Sequence, residues 1–65
     1  MEGTIIPISV KLVGTDGNAF AIIGKVNSAI KRAGYEQEAK DFMKEAISGD
    51  YDHVLQTCMK YVNIT

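Results

Sequence analysis

From Thr4 to Val13 the chain is dominated by β-branched residues, and between Ile6 and Leu12 every even position is apolar. A period of two predicts a strand with Ile6, Ile8, Val10 and Leu12 on a buried face and Ser9 and Lys11 turned towards solvent. Pro7 cannot donate to a ladder, so the paired part of the strand is expected to begin at Ile8.

The period then changes. Gly14-Thr15-Asp16-Gly17 reads as a turn, Asn18 or Asp16 is placed to cap a helix, and Ala19, Ile22, Ile23, Val26, Ala29, Ile30 and Ala33 recur at helical spacings. Gly34 supplies a residue tolerant of a left-handed conformation after that helix, with Lys31 and Arg32 in its last turn. A second helix is expected from about Glu36 to Ile47, with Ala39, Phe42, Met43, Ala46 and Ile47 on its apolar face and Gly49 after its end. Asp50 can cap a third, from Tyr51 to about Lys60, in which Tyr51, Val54, Leu55, Cys58 and Val62 fall on one side. The tail 61–65 either continues this helix or extends, and its β-branched content favours extension after Tyr61.

The pattern therefore predicts one α+β domain over residues 1–65: an N-terminal strand followed by three amphipathic helices, with a short C-terminal strand if the tail extends. A lone strand leaves its N–H and C=O groups without ladder partners, so the first strand must pair either with the tail or with the same strand of a second subunit.

Composition sharpens that question. A chain of 65 residues buries only about 60% of the surface it exposes when unfolded, and chains this small often add a disulfide, a metal or a partner. With Cys58 the sole cysteine and His53 the sole histidine, an internal disulfide is impossible and a Cys/His zinc set cannot be built. Association with another copy, as a homodimer, is the remaining support, and Ile8, Val10, Leu12, Phe20 and Gly24 are the residues expected to serve it. Gly24 costs up to about 1 kcal/mol within a helix, which suggests close approach of another element.

The formal net charge of −1 gives no global field for nucleic acid or anionic membrane. The halves differ: residues 1–34 carry Lys11, Lys25, Lys31 and Arg32 against Glu2 and Asp16, whereas residues 35–65 carry six acids against Lys40, Lys44 and Lys60. No apolar run approaches the roughly 20 residues of a membrane span, and Met1-Glu2-Gly3 lacks a basic secretory start, so a cytoplasmic location without a membrane partner is expected.

Candidate chemistry is sparse. The Gly14–Gly17 loop stands between strand and helix, where amides can hold phosphate, but it lacks the lysine of a phosphate-binding loop and the G-x-G-x-x-G of a dinucleotide site, and Asp16 would repel an anion. Its G-x-x-G spacing is also that of KH-type RNA-binding loops, which usually carry basic residues where this chain has Thr15-Asp16. Lys11, Lys25, Lys31 and Arg32 could form a small basic patch for a phosphate backbone, or simply a solvated helix face. Asp50-Tyr51-Asp52-His53 collects groups suited to acid–base or metal chemistry, yet the spacing argues against a site and for a capped helix start with Tyr51 facing the core and His53 exposed. Cys58 lies on an apolar face and is expected to be a buried, inert thiol. No catalytic residue, cofactor or metal is assigned.

The words Lys11-Leu12-Val13-Gly14, Asn18-Ala19-Phe20, Ala33-Gly34 and Ser48-Gly49-Asp50-Tyr51-Asp52-His53 resemble those of a family of short uncharacterised bacterial proteins, over about residues 10–62. The resemblance implies a small complete domain and carries no activity, cofactor or partner. The expected function is a small non-enzymatic interaction module that self-associates, with an unidentified protein partner also open. The alternative is a nucleic-acid-binding regulator using Lys11, Lys25, Lys31 and Arg32, and an enzyme using Asp52 and His53 is a third reading.

Overall fold

The first strand finds its partner in the chain's own tail. In the computed structural model, which describes residues 4–12, 14 and 17–65, β1 (Ser9–Val10) is followed by α1 (Ala19–Arg32), α2 (Glu36–Ala46), α3 (Tyr51–Tyr61) and β2 (Asn63–Ile64). β1 and β2 pair in parallel, Ser9 opposite Asn63 and Val10 opposite Ile64. Parallel strands need a long crossover, and here the three helices form it. The α+β architecture, the three helices and the extended tail are thus as the pattern predicts, although the ladder itself is shorter than the β-branched run.

Main-chain bonds extend well beyond the ladder. The amides of Ile5 and Ile6 donate to the carbonyls of Lys60 and Tyr61, at 3.2 and 2.8 Å, satisfying acceptors that the end of α3 leaves open. Asn63 N–H then donates to Ile8 C=O at 2.9 Å, Thr65 N–H to Val10 C=O at 3.0 Å, and Leu12 N–H to Thr65 C=O at 3.4 Å. Ile6 and Val10 are buried and Ile8 and Leu12 pack half-buried against the core, while Ser9 and Lys11 face solvent.

Local chemistry sets the helix ends. The Asn18 side chain accepts from Phe20 N–H at 2.7 Å and is the cap of α1; Val13, Thr15 and Asp16 lie outside the described residues. At the other end Gly34 takes a φ of 95°, Gly34 N–H donates to Lys31 C=O at 2.9 Å and Tyr35 N–H to Ile30 C=O at 3.2 Å. That reciprocal closure needs a left-handed residue, which glycine adopts without a Cβ penalty.

The core gathers Ile22, Ile23, Val26 and Ile30 of α1, Ala39, Phe42 and Ala46 of α2, Val54, Cys58 and Tyr61 of α3, and Ile6, Val10 and Val62 from the chain ends. Phe42 and Tyr61 meet edge to face at its centre, with ring centroids 5.5 Å apart. Three residues expected on apolar faces are displaced. Ala33, just past the end of α1, is exposed, and Tyr51 and Ile47 are 47% and 57% exposed, Ile47 lying past the end of α2 at Ala46 and Tyr51 being the first residue of α3. Thr57 takes a core place instead, its hydroxyl donating to His53 C=O at 2.8 Å so that no polar hydrogen is stranded.

If the pairing of the chain ends closes the fold, removing one bond from it must show. Asn63→Pro deletes the N–H that reaches Ile8 C=O, and the preceding Val62 is already extended (φ −136°, ψ 163°), so proline adds no conflict there. A loss of about 1–3 kcal/mol is expected. Thermal unfolding should report it as a fall of about 4–8 °C per kcal/mol.

Candidate interaction surfaces

Three surfaces carry chemistry, and α1 borders two of them. Its first turn presents Phe20, 78% exposed, beside Ile47 just after α2 and Tyr51 at the start of α3. The three rim a shallow depression of about 140 Å³ whose floor includes Ile23, Ala46 and Val54. Large apolar groups clustered in this way, unlike single exposed ones, mark contact surfaces. Gly24, one turn after Phe20, is exposed, and a Cβ built on it would meet nothing within 4 Å. No element of this chain approaches it closely among the described residues, so the close approach expected from its place in a helix is not made within the chain.

The second surface is a groove of about 320 Å³ between β1 and α1, lined by Ser9, Val10 and Lys11 on one side and Lys25, Ser28, Ala29 and Arg32 on the other. It continues past Ile8 and Ala33. Three of the four cations expected to act together therefore meet here. Lys31 does not join them: it borders a different depression with Asn27, Lys40, Met43 and Lys44. Ile8, Val10 and Leu12 turn their main-chain groups towards the tail, whereas Phe20 remains at the surface.

The third feature is the corner between α2 and α3, where Ser48-Gly49-Asp50-Tyr51-Asp52-His53 acquires a structural account. Asp50 caps α3 by accepting from His53 N–H at 2.9 Å. The His53 ring is half-buried rather than exposed, because its Nε2 lies 2.8 Å from Glu45 C=O at the end of α2. A carbonyl only accepts, so Nε2 carries the proton. Ser48 Oγ donates to the same carbonyl at 2.7 Å. A Cβ on Gly49 would stand 2.6 Å from His53 Cγ and 2.8 Å from its Cβ, so only glycine lets the ring reach back over the turn. Asp52 meanwhile accepts from Gln56 Nε2 at 3.1 Å, one turn along α3, and does not face the histidine ring's bonds.

Glu45 also ties the helices through its side chain. Lys60 Nζ lies 2.6 Å from Glu45 Oε2, and Tyr61 O–H donates to Glu45 Oε1 at 3.4 Å. The Lys60 ammonium holds the Glu45 carboxyl below its ordinary range, the carboxylate in turn raises Lys60, and burial together with the Glu45 charge pushes the Tyr61 phenol up. Burial raises the Cys58 thiol to about 11, which keeps it protonated and unreactive near neutrality. The patterning could not reveal this pair of corner contacts, since Glu45 and Lys60 are 15 positions apart and meet only when α2 and α3 pack.

Two measurements test this corner. Gly49→Ala should cost about 1–3 kcal/mol by forcing the imidazole off Glu45 C=O. His53→Ala removes two of the three overlapping atoms, Cγ and Cδ2, so the double variant should lose less than the sum of the single losses in chemical denaturation. For the ion pair, the sign follows from the shifts. Glu45 is lowered on folding from 4.5, so its contribution is present above that pH and vanishes as pH falls through the lowered value. Lys60 is raised from 10.5, so its contribution is present below that pH and is lost as pH rises through the raised value. The difference in melting temperature between the wild type and Lys60→Met should be present at pH 7 and shrink towards zero in acid.

No helix among the described residues is long and apolar enough to cross a membrane. No family model, curated protein or solved structure matches the chain, and its function is therefore read from these surfaces.

Proposed function

We propose that the protein is a small non-enzymatic interaction module that self-associates, with Phe20, Ile47 and Tyr51 at the contact. The observation that carries this reading is the exposure of Phe20 at 78% beside two further large apolar groups. Phenylalanine at the surface gains by leaving water, at about 25 cal/mol per Å² of apolar area removed. A two-fold contact would place the same patch of each copy against the other. Gly24, four residues after Phe20 on α1, presents bare backbone to such a partner, which is where a second helix could approach most closely. The first strand gives this proposal less than the sequence suggested, since the tail already satisfies one of its edges.

A second reading, a nucleic-acid-binding regulator, draws support from Lys11, Lys25 and Arg32 lining one groove. Lys31 stands apart from them, and among the described residues no aromatic side chain lines the groove for a base to stack on.

Light scattering coupled to size-exclusion chromatography tests the leading reading. The expected result is a dimer at about 100 µM that Phe20→Asp converts to a monomer with an unchanged far-UV circular dichroism spectrum. A wild-type monomer at that concentration would overturn it.

A further inference from the structure

We propose that the outer edge of β1 and the groove beside α1 form a docking site for an extended acidic peptide, added as a third strand. The edge is the first observation. In a parallel ladder alternate residues face opposite sides: Ile8 and Val10 accept from the tail through their carbonyls and Leu12 N–H donates to it, while Ile8 N–H turns back to Ile6 C=O. Ser9 and Lys11 therefore direct theirs outwards, and outside the ladder neither makes a main-chain bond among the described residues. Between Ile8 and Leu12 this edge runs about 13 Å at ~3.3 Å per residue, enough for a short strand to register.

Charge is the second. Lys11 from the strand and Arg32 from α1 line the groove, and neither makes an ion pair among the described residues. Lys25, which has an interaction of its own, adds a third positive charge to the lining. Between the cations the α1 wall is low, formed by Ser28 and Ala29, and leaves room for small side chains. A strand alternating acidic and small apolar residues matches both features: carboxylates reach Lys11 and Arg32, main-chain groups pair with the edge, and the alternate side chains rest over Ala29.

The same features disfavour other occupants. The phosphates of a nucleic-acid backbone offer acceptors only, whereas the strand edge alternates donors and acceptors. A second copy would bring Lys11 and Arg32 against their own kind if it paired edge to edge, and its acids beyond residue 34 are carried by α2, α3 and the cap of α3 rather than by an extended segment.

Fluorescence anisotropy at about 50 mM salt with a short fluorescein-labelled peptide of alternating glutamate and valine tests the site. Binding is expected, weakened about tenfold or more by Arg32→Glu or Lys11→Glu in variants that keep the wild-type circular dichroism spectrum. N-methylation of one alternate set of peptide amides should abolish binding while the other set tolerates it, which a merely electrostatic attraction would not produce. Failure of the peptide to bind, equal binding by both methylated peptides, or tighter binding of a labelled single-stranded oligonucleotide would each overturn the proposal. Phe20→Asp should leave peptide binding intact, so this site and the self-association face stand or fall separately.

Discussion

Main-chain hydrogen bonds between segments at opposite ends of the sequence close this fold: Ile5 and Ile6 donate to the end of α3, and Ile8, Val10 and Leu12 exchange bonds with Asn63 and Thr65. Everything between must return the chain to its starting point. Because the strands run in parallel, the return cannot be a hairpin, and α1, α2 and α3 have to stack as a crossover whose apolar stripes face one another. Ser9 and Asn63 are 54 positions apart, so the closure entropy of nearly the whole chain is met before this pairing forms. Burial of Ile6, Val10 and Val62 against the helices offsets that cost.

Once the tail occupies one edge of β1, the character of the remaining surface changes. An unpaired strand needs any partner it can find, while a strand with one satisfied edge can be selective about the other. Here Lys11, on the strand, and Arg32, on α1, make the open edge positive, a common defence against pairing with a like edge. The exposed apolar cluster lies instead where α1 begins and α2 meets α3, around Phe20, Ile47 and Tyr51. Two faces of opposite chemistry thus border one helix.

The corner at residues 45–53 shows how a short segment can hold two helices at a fixed angle. Glu45 C=O accepts from both Ser48 Oγ and His53 Nε2, Asp50 caps α3, and Gly49 leaves the space that the imidazole fills. Residues suited to catalysis are used here for architecture. His53 in particular adds a contact from α3 to a carbonyl at the end of α2 that Ser48 already bonds through its N–H and its hydroxyl.

The sequence by itself determined what depends on neighbours a few positions away: the two periods, the Asp50 cap and the left-handed Gly34, with the first cap narrowed to Asn18 or Asp16 and extension of the tail favoured. It also held a division that helical geometry makes plain. Lys25 and Arg32 are seven residues apart, within roughly 20° around α1, whereas Lys31 lies roughly 120° away from Lys25, and so faces another depression. Tertiary structure alone decided which partner the first strand takes, because the tail and a second copy satisfy the same N–H and C=O groups and no periodicity distinguishes them. It alone turned Ile47 and Tyr51 outwards, since the apolar pattern marks a stripe but not where a helix ends against its neighbour. It also brought His53 onto Glu45 C=O, a contact that exists only once two helices have met across a glycine.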